Sequence, residues 1–322
     1  ALKHDPYVAD GLAENCTYNT VLPYIHTARE GVERLGAMIE KYYNGVIEQV
    51  AGGIGNVEHN SILVRYSNDF SIWDLESVNH YKDQTDIFFT CHEFSYNKIA
   101  EAYEPYLGLI RQMFHKYCSG TLEEFMEECD VYKLQRPVFE SYFEKGFCER
   151  TEQILIDEVE YEQERMHSSI VTMLQKLSEI CPIVIVLNRF QLASKSTMQL
   201  TNRLLQTKNK NIGIVLGVND VQSIPEFAHE EWDAICESMD DRNMVYHIGN
   251  AGRNMEPDVM DYYSDYESDD GYRKLNNLVY FLDFDQANHH LSKIWKNCRI
   301  RRKREHFIII SGWQLLTCIL ES

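Results

Sequence analysis

Two apolar runs constrain the fold more than any other feature of the sequence: PIVIVL at residues 182–187 and IGIVLGV at residues 212–218. Ile183, Val184, Ile185 and Val186 are β-branched, and neither run alternates apolar with polar residues. A strand with one wet face alternates, so unbroken apolarity marks a strand covered on both faces, as in a parallel sheet between helical layers. Residues 197–205 carry a helical pattern between the two runs. Strand, helix, strand in this order calls for a right-handed crossover in an α/β core. DIFFTC at 86–91 reads as another fully buried strand, and 104–114 as an amphipathic helix.

Upstream, Val32, Leu35, Ile39 and Tyr42 share one face of a helix that starts near Ala28 and is expected to stop at Asn44-Gly45. VIEQV at 46–50 then reads as a short strand running into the glycine cluster AGGIGN at 51–56, where the backbone can turn sharply with its amides inward. Residues 120–180 are charged and helical, with Leu122, Phe125, Met126, Ile170, Met173, Leu174 and Leu177 as apolar stripes. The stretch 256–270 holds seven carboxylates and no Lys or Arg, which predicts a self-repelling, exposed linker. The expected layout is an extension over 1–27, a main domain over 28–255 with a helical insertion at about 120–180, an acidic linker over 256–271, and helices over 272–322.

The net charge of -19, from 50 acidic and 31 basic side chains, repels phosphate backbones and anionic membranes, so neither is an expected partner. The basic run Arg299, Arg301, Arg302, Lys303 and Arg304 reads as a solvated helix face. Nine cysteines without a C-x-x-C pair speak against a disulfide framework or a structural zinc site, and for a reducing, cytoplasmic compartment. No run reaches the ~20 apolar residues of a membrane helix; residues 307–320 are broken by Ser311, Gly312 and Gln314. Adjacent histidines at His289-His290, the pairs Glu123-Glu124 and Glu127-Glu128, and Ser61 have neither the spacing of a metal site nor that of a nucleophile elbow. No catalytic or metal-binding residue is expected from them.

A glycine turn ahead of two buried strands that each end in polar residues resembles the STAND signalling ATPases, relatives of the AAA family, over residues 28–220. Arg29-Glu30 opens a helix as in that family, and GGIGNV at 52–57 stands where the family shows G-I-G-K-[ST]. Cys91, Glu93 and Tyr103-Glu104-Pro105-Tyr106 look like the family's next strand and helix. The resemblance implies a P-loop NTPase-like three-layer αβα domain with a parallel sheet. It makes Gly52, Gly53, Gly55, Asn56 and Val57 a degenerate P-loop, Asn188 and Arg189 a degenerate Walker B end, and Asn219, followed by Asp220, a sensor-like position. Asn56 and Val57 replace the lysine and hydroxyl that hold phosphate and magnesium, and Asn188 replaces an acid. Hydrolysis is therefore not expected and no cofactor is assigned, although backbone amides at the turn could still attract ATP or ADP. Such a cluster is also what an ordinary tight loop looks like. The geometric requirement is a 5-1-4-3-2 strand order with the 52–57 turn beside the end of the 182–188 strand.

At the C-terminal side, Leu275, Leu278 and Leu282, then Phe284, Ala287, Leu291 and Ile294, match the two helices of a tetratricopeptide-like α-hairpin, or equally a helical cap on the α/β domain. The resemblance implies a regulatory, signal-transducing scaffold, not an enzyme, with protein partners at the repeats and a possible homodimer. Two alternatives stay open: an active ATPase drawing charges from Lys98, Arg65 or Asp220, and a structural binding module with an antiparallel sheet.

Overall fold

The computed structural model describes residues 27–55, 60–66, 72–95, 98–146, 159–219, 224–240, 245–248 and 268–301. Helix α1 (Ala28–Gly52) opens on a capping box, in which Thr27 Oγ1 accepts from the Glu30 amide and the Glu30 carboxylate accepts from the Thr27 amide. It does not stop at Asn44-Gly45. VIEQV, expected as a strand, is its last two turns, because Tyr43, Val46, Ile47 and Val50 repeat at helical spacing and are all buried. Asn44 is held in the helix from outside: its side-chain oxygen accepts from the Ser77 amide at 2.9 Å and the Ser77 hydroxyl at 2.6 Å.

A five-stranded sheet follows, with β1 (Ser61–Tyr66), β2 (Phe88–Glu93), β3 (Ile183–Asn188), β4 (Ile212–Asn219) and β5 (Val245–Ile248) in the order β2-β3-β4-β1-β5. Every pairing is parallel, so the antiparallel alternative is excluded. The α/β class and the parallel sheet expected from PIVIVL and IGIVLGV are present, and the order read from β5 is 5-1-4-3-2. β3 and β4 are buried throughout. β2 is half-buried along its length rather than fully buried, because it is an edge strand. β1 and β5 were not expected at all.

Two cores flank the sheet. On one face, α1 and α2 (Glu76–Lys82) pack on Ile62, Val64, Val184, Val186 and Val215. The glycines of β4 set how close α1 lies: a methyl on Gly213 would meet Val50 at 2.7 Å, and one on Gly217 would sit 2.2 Å from the Tyr43 hydroxyl. The other face carries the larger core, built by α3 (Tyr106–Tyr117), α4 (Leu122–Glu128), α5 (Arg136–Lys145), α6 (Val159–Ile180), α7 (Lys195–Thr207) and α8 (His229–Asp240). Residues 120–180, expected as a helical insertion, hold α4 to α6 between β2 and β3.

Helices α9 (Asp269–Tyr280) and α10 (Phe284–Arg301) bury Leu275, Leu278, Ala287, Leu291 and Ile294 as expected, but against that same core; Leu282 is buried in the turn between them, and Phe284 is only half-buried. Phe281 is ringed by Tyr103, Phe139 and Tyr142, and the Gln286 amide donates to the Ala100 carbonyl at 3.1 Å. The pair is docked as a cap, the second of the two readings of that segment. The 256–267 part of the expected 256–271 linker, the 1–26 part of the extension, residues 302–304 of the basic run and the 307–320 segment lie outside the described residues, and residues 269–271 of that linker already belong to α9. Among the described residues no helix is long and apolar enough to cross a membrane.

Candidate functional site at the carboxyl edge of the sheet

The residues expected to form one phosphate cradle fall at opposite ends of the sheet. Gly52 ends α1, Gly53 caps it, and Gly55 turns at φ 95°, its amide donating to the Lys210 carbonyl at 2.7 Å just ahead of β4. That is the amino edge. Asn188 and Asn219 end β3 and β4 at the carboxyl edge, separated from the glycine turn by the length of β4, roughly 25 Å at about 3.3 Å per residue. The turn also follows a helix and precedes a strand, the reverse of a phosphate loop, whose helix must follow the turn so that its N-terminus faces the anion. Asn56, Val57 and Asp220 lie outside the described residues.

Asn188 and Arg189 do belong to a polar cluster. The Tyr66 hydroxyl donates to Asn188 Oδ1 at 2.7 Å, and Asn188 Nδ2 donates to Glu93 Oε1 at 3.1 Å. Arg189 leaves β3 in the left-handed region, φ 53°, and its guanidinium returns to Glu93 at 3.4 Å. Asn219 is tied in through its amide, which donates to Gln191 Oε1 at 3.3 Å. Tyr43 closes the inner wall, and burial holds its phenol well above the ordinary range. The cluster thus stacks a carboxylate and a guanidinium, 12% and 18% exposed, over a carboxamide and phenols that are fully buried. Glu93 and Arg189 are the members that a small polar molecule could reach.

On the other side of β2, His92 Nε2 lies 3.4 Å from Glu104 Oε1. Burial lowers the imidazole to about 4 and raises the Glu104 carboxyl, so at neutral pH the ring is uncharged and the contact is not a true ion pair. Burial pushes the Cys91 and Cys129 thiols up to about 12, and raises Cys118. These three thiols stay protonated and are poor nucleophiles. Among the described residues no group of three His, Cys, Asp or Glu side chains could hold a metal ion. Tyr66 is missed from the sequence because its strand reads as a polar stretch, and Tyr43, although inside the expected helix, because the apolar face is drawn through Tyr42 instead. The signal available for β1 is the consecutive apolar run Ile62, Leu63 and Val64.

Placement at the carboxyl edge next to β1 is physically apt. The crossover from β1 runs over the α1–α2 face while those from β2, β3 and β4 run over the other, so the β1–β4 carboxyl edge is a topological switch point. The fold and site define an α/β protein with a largely buried polar cluster at a topological switch point. Residues 1–79 match the model of Peptidase family C69. A probable dipeptidase of Latilactobacillus sakei is 34% identical over 100 residues, 31% of this chain and 18% of the relative. A probable dipeptidase A of Streptococcus pyogenes serotype M3 is 42% identical over 74 residues, covering 23% of this chain and 13% of the relative. A dipeptidase of Bifidobacterium longum is 39% identical over 74 residues, covering 23% and 11%. The chain thus spans less than a fifth of the length of these curated relatives. No solved structure matches it.

These similarities correct the expected kinship. They are to peptidases, not to signalling ATPases, and they turn the expectation of a non-enzymatic regulatory scaffold toward an enzyme. The geometry of the glycine turn agrees, since the emptied cradle on which that expectation depended is not formed. The matched stretch contains α1, β1 and Tyr66, while β2 to β5 lie beyond residue 79.

Proposed function

We propose that this chain is a peptidase-related hydrolase acting on dipeptides, with the Glu93–Arg189 pair at the carboxyl edge as the place where the peptide is held. The observation that carries the reading is the 42% identity over 74 residues to a probable dipeptidase A. The family match over 1–79 supports it, because that stretch includes β1, an inner strand of the sheet, and delivers Tyr66 to the buried polar cluster at the carboxyl edge. A dipeptide carries an ammonium group, a carboxylate and one peptide bond. Arg189 suits the carboxylate, because a guanidinium binds it through two parallel N–H donors. Glu93 suits the ammonium, and the buried Asn188, itself held by Tyr66, fixes the Glu93 carboxylate in place. Hydrolysis adds one water across the C–N bond and releases two amino acids.

The test is incubation of the purified chain with a panel of unblocked dipeptides, with both free amino acids quantified by chromatography. The expected result is equimolar release of the two, with KM raised about tenfold or more by Arg189→Ala, the loss of one charge-assisted contact. No release above buffer from any dipeptide, at protein concentrations comparable to the substrate, would overturn the proposal.

A further inference from the structure

Strand β2 is one edge of the sheet, and among the described residues no strand pairs with its outer side. The Phe88 amide donates to the Pro182 carbonyl at 2.7 Å and the Phe94 amide to the Asn188 carbonyl at 3.1 Å. In a parallel ladder every second residue faces the neighbouring strand, so Phe88, Thr90 and His92 direct their backbone groups to β3, while the amides and carbonyls of Phe89, Cys91 and Glu93 point outward. Such an edge is a template for another strand, and native sheets ordinarily blunt it with Lys, Pro, a bulge or a very short strand. β2 has none of these: it reads FFTCHE, pairs in unbroken register, and carries its one carboxylate in last place. The opposite edge, β5, is only four residues long.

The side chains beside this edge have the make-up of a protein contact. All six residues of β2 are half-buried. On the α2 face, Phe89 stacks on Tyr81 at 5.6 Å, and Lys82, next in α2, lies over Trp73, which stays 43% exposed. On the α3 face, Phe88 meets Tyr117 edge-on at 6.2 Å, with the Lys116 ammonium over both rings. Tyr, Trp and Phe are the side chains most enriched where proteins meet. The two ends of β2 also differ in charge on the α3 face. Lys116 stands at the Phe88 end, and Glu104, 29% exposed, stands beside His92 at the other. A second β2 laid antiparallel sets the basic end of each copy on the acidic end of the other, whereas a parallel one sets like on like.

We propose that the β2 edge is the surface on which two copies of this chain associate, β2 against β2 antiparallel about a two-fold axis at Thr90, so that the two sheets continue as one. The outward groups set this register. Phe89 of each copy faces Cys91 of the other and exchanges both backbone hydrogen bonds with it, Phe88 faces His92, and Thr90 faces its own counterpart in the closer, non-hydrogen-bonded kind of pair. With Phe88 opposite His92, Lys116 comes within reach of the other copy's Glu104, twice by symmetry. A two-fold contact of this type closes at two copies. The proposal rests on the sheet edge alone and does not depend on peptide hydrolysis.

Sedimentation equilibrium of the whole chain over roughly 1–100 μM tests it. The expected mass rises with concentration to a plateau at twice that of one chain. Cys91→Pro removes an outward amide and leaves the β2–β3 hydrogen bonds in place, a change that edge strands tolerate; it should weaken association about a hundredfold, and Lys116→Glu about tenfold. Thr90→Cys should form a disulfide-linked dimer under mild oxidation, read on a non-reducing gel, at a yield about tenfold above that of the parent. That variant leaves the edge backbone intact, so it decides the question if Cys91→Pro does not fold. A single-chain mass throughout would overturn the proposal, as would a mass that climbs without a plateau, the mark of β2 adding to β5 of the next copy. So would a dimer that survives Cys91→Pro and Lys116→Glu and gains no cross-link from Thr90→Cys.

Discussion

The Tyr66 hydroxyl at the end of β1 donates to Asn188 Oδ1 at the end of β3, 2.7 Å away, although β4 lies between those strands. The bond passes over Gly217, where a methyl would sit 2.6 Å from the same Asn188 oxygen. It also ties the peptidase-like stretch to the part of the sheet beyond it. Tyr66→Phe removes the donor and leaves a buried oxygen with one partner fewer. The expected cost is about 1–3 kcal/mol of unfolding free energy, measured by urea denaturation. A loss within error would mean that the bond contributes nothing net.

Gly217 follows from the same contact. With no side chain it admits both Tyr43 and Asn188, and neither is a flexible chain end: both are buried and packed. Gly217→Ala should cost about 1–3 kcal/mol through overpacking. Gly36→Ala is the comparison, because nothing lies within 4 Å of an added methyl inside α1. That change should stabilise by about 0.5–1 kcal/mol through helix propensity alone. Equal thermal shifts for both variants would show that the close approach is not real.

How much was legible in the sequence depended on whether a signal was local. PIVIVL and IGIVLGV announced β3 and β4 because continuous apolarity has few other causes, and 197–205 sits inside α7. Asn44-Gly45 misled, because its stop signal is overruled by a tertiary hydrogen bond to Ser77, thirty-three positions away and invisible in any window. Once the helix was ended there, VIEQV had to become a strand and the glycines a loop beyond it. The true first strand, SILVRY, was then passed over as polar. The candidate site suffered from the same error: Asn188 and Arg189 were marked for their place at a strand end, while Tyr66 went unmarked.

Phe281, at the end of α9, is 1% exposed and has the rings of Tyr103, Tyr142 and Phe139 at centroid distances of 5.6, 5.8 and 6.4 Å. These neighbours come from α5 and from the segment before α3, so Phe281 is where the terminal helix pair is pinned to the body. Phe281→Ala should cost about 3–5 kcal/mol, the usual range for an emptied aromatic site in a core that cannot collapse. Denaturation followed by near-ultraviolet circular dichroism should give one transition. An early, separate transition would mean that the pair folds on its own and is only lightly attached.

Asp283, between α9 and α10, is fully buried, accepts from the Ser196 amide at 2.9 Å, and has a second oxygen without a partner. Burial raises its carboxyl from 3.8 to about 6, against the opposing pull of the Ser196 and Gln286 hydrogen bonds and of Lys195. Between those two values the folded chain holds a proton that the unfolded chain has released. The stabilising contribution is therefore complete below about pH 4 and is lost as pH rises through about 6, after which the penalty is constant. Asp283→Asn keeps the acceptor for Ser196 and has no charge to desolvate. Relative to the parent it should gain stability above pH 6, with a ceiling on the order of 3 kcal/mol at about 1.4 kcal/mol per pH unit, and match it near pH 4. Urea denaturation of both proteins across pH 4 to 7 reads the difference directly. Parallel curves would place the Asp283 titration in the ordinary carboxylate range and remove burial as the source of the shift.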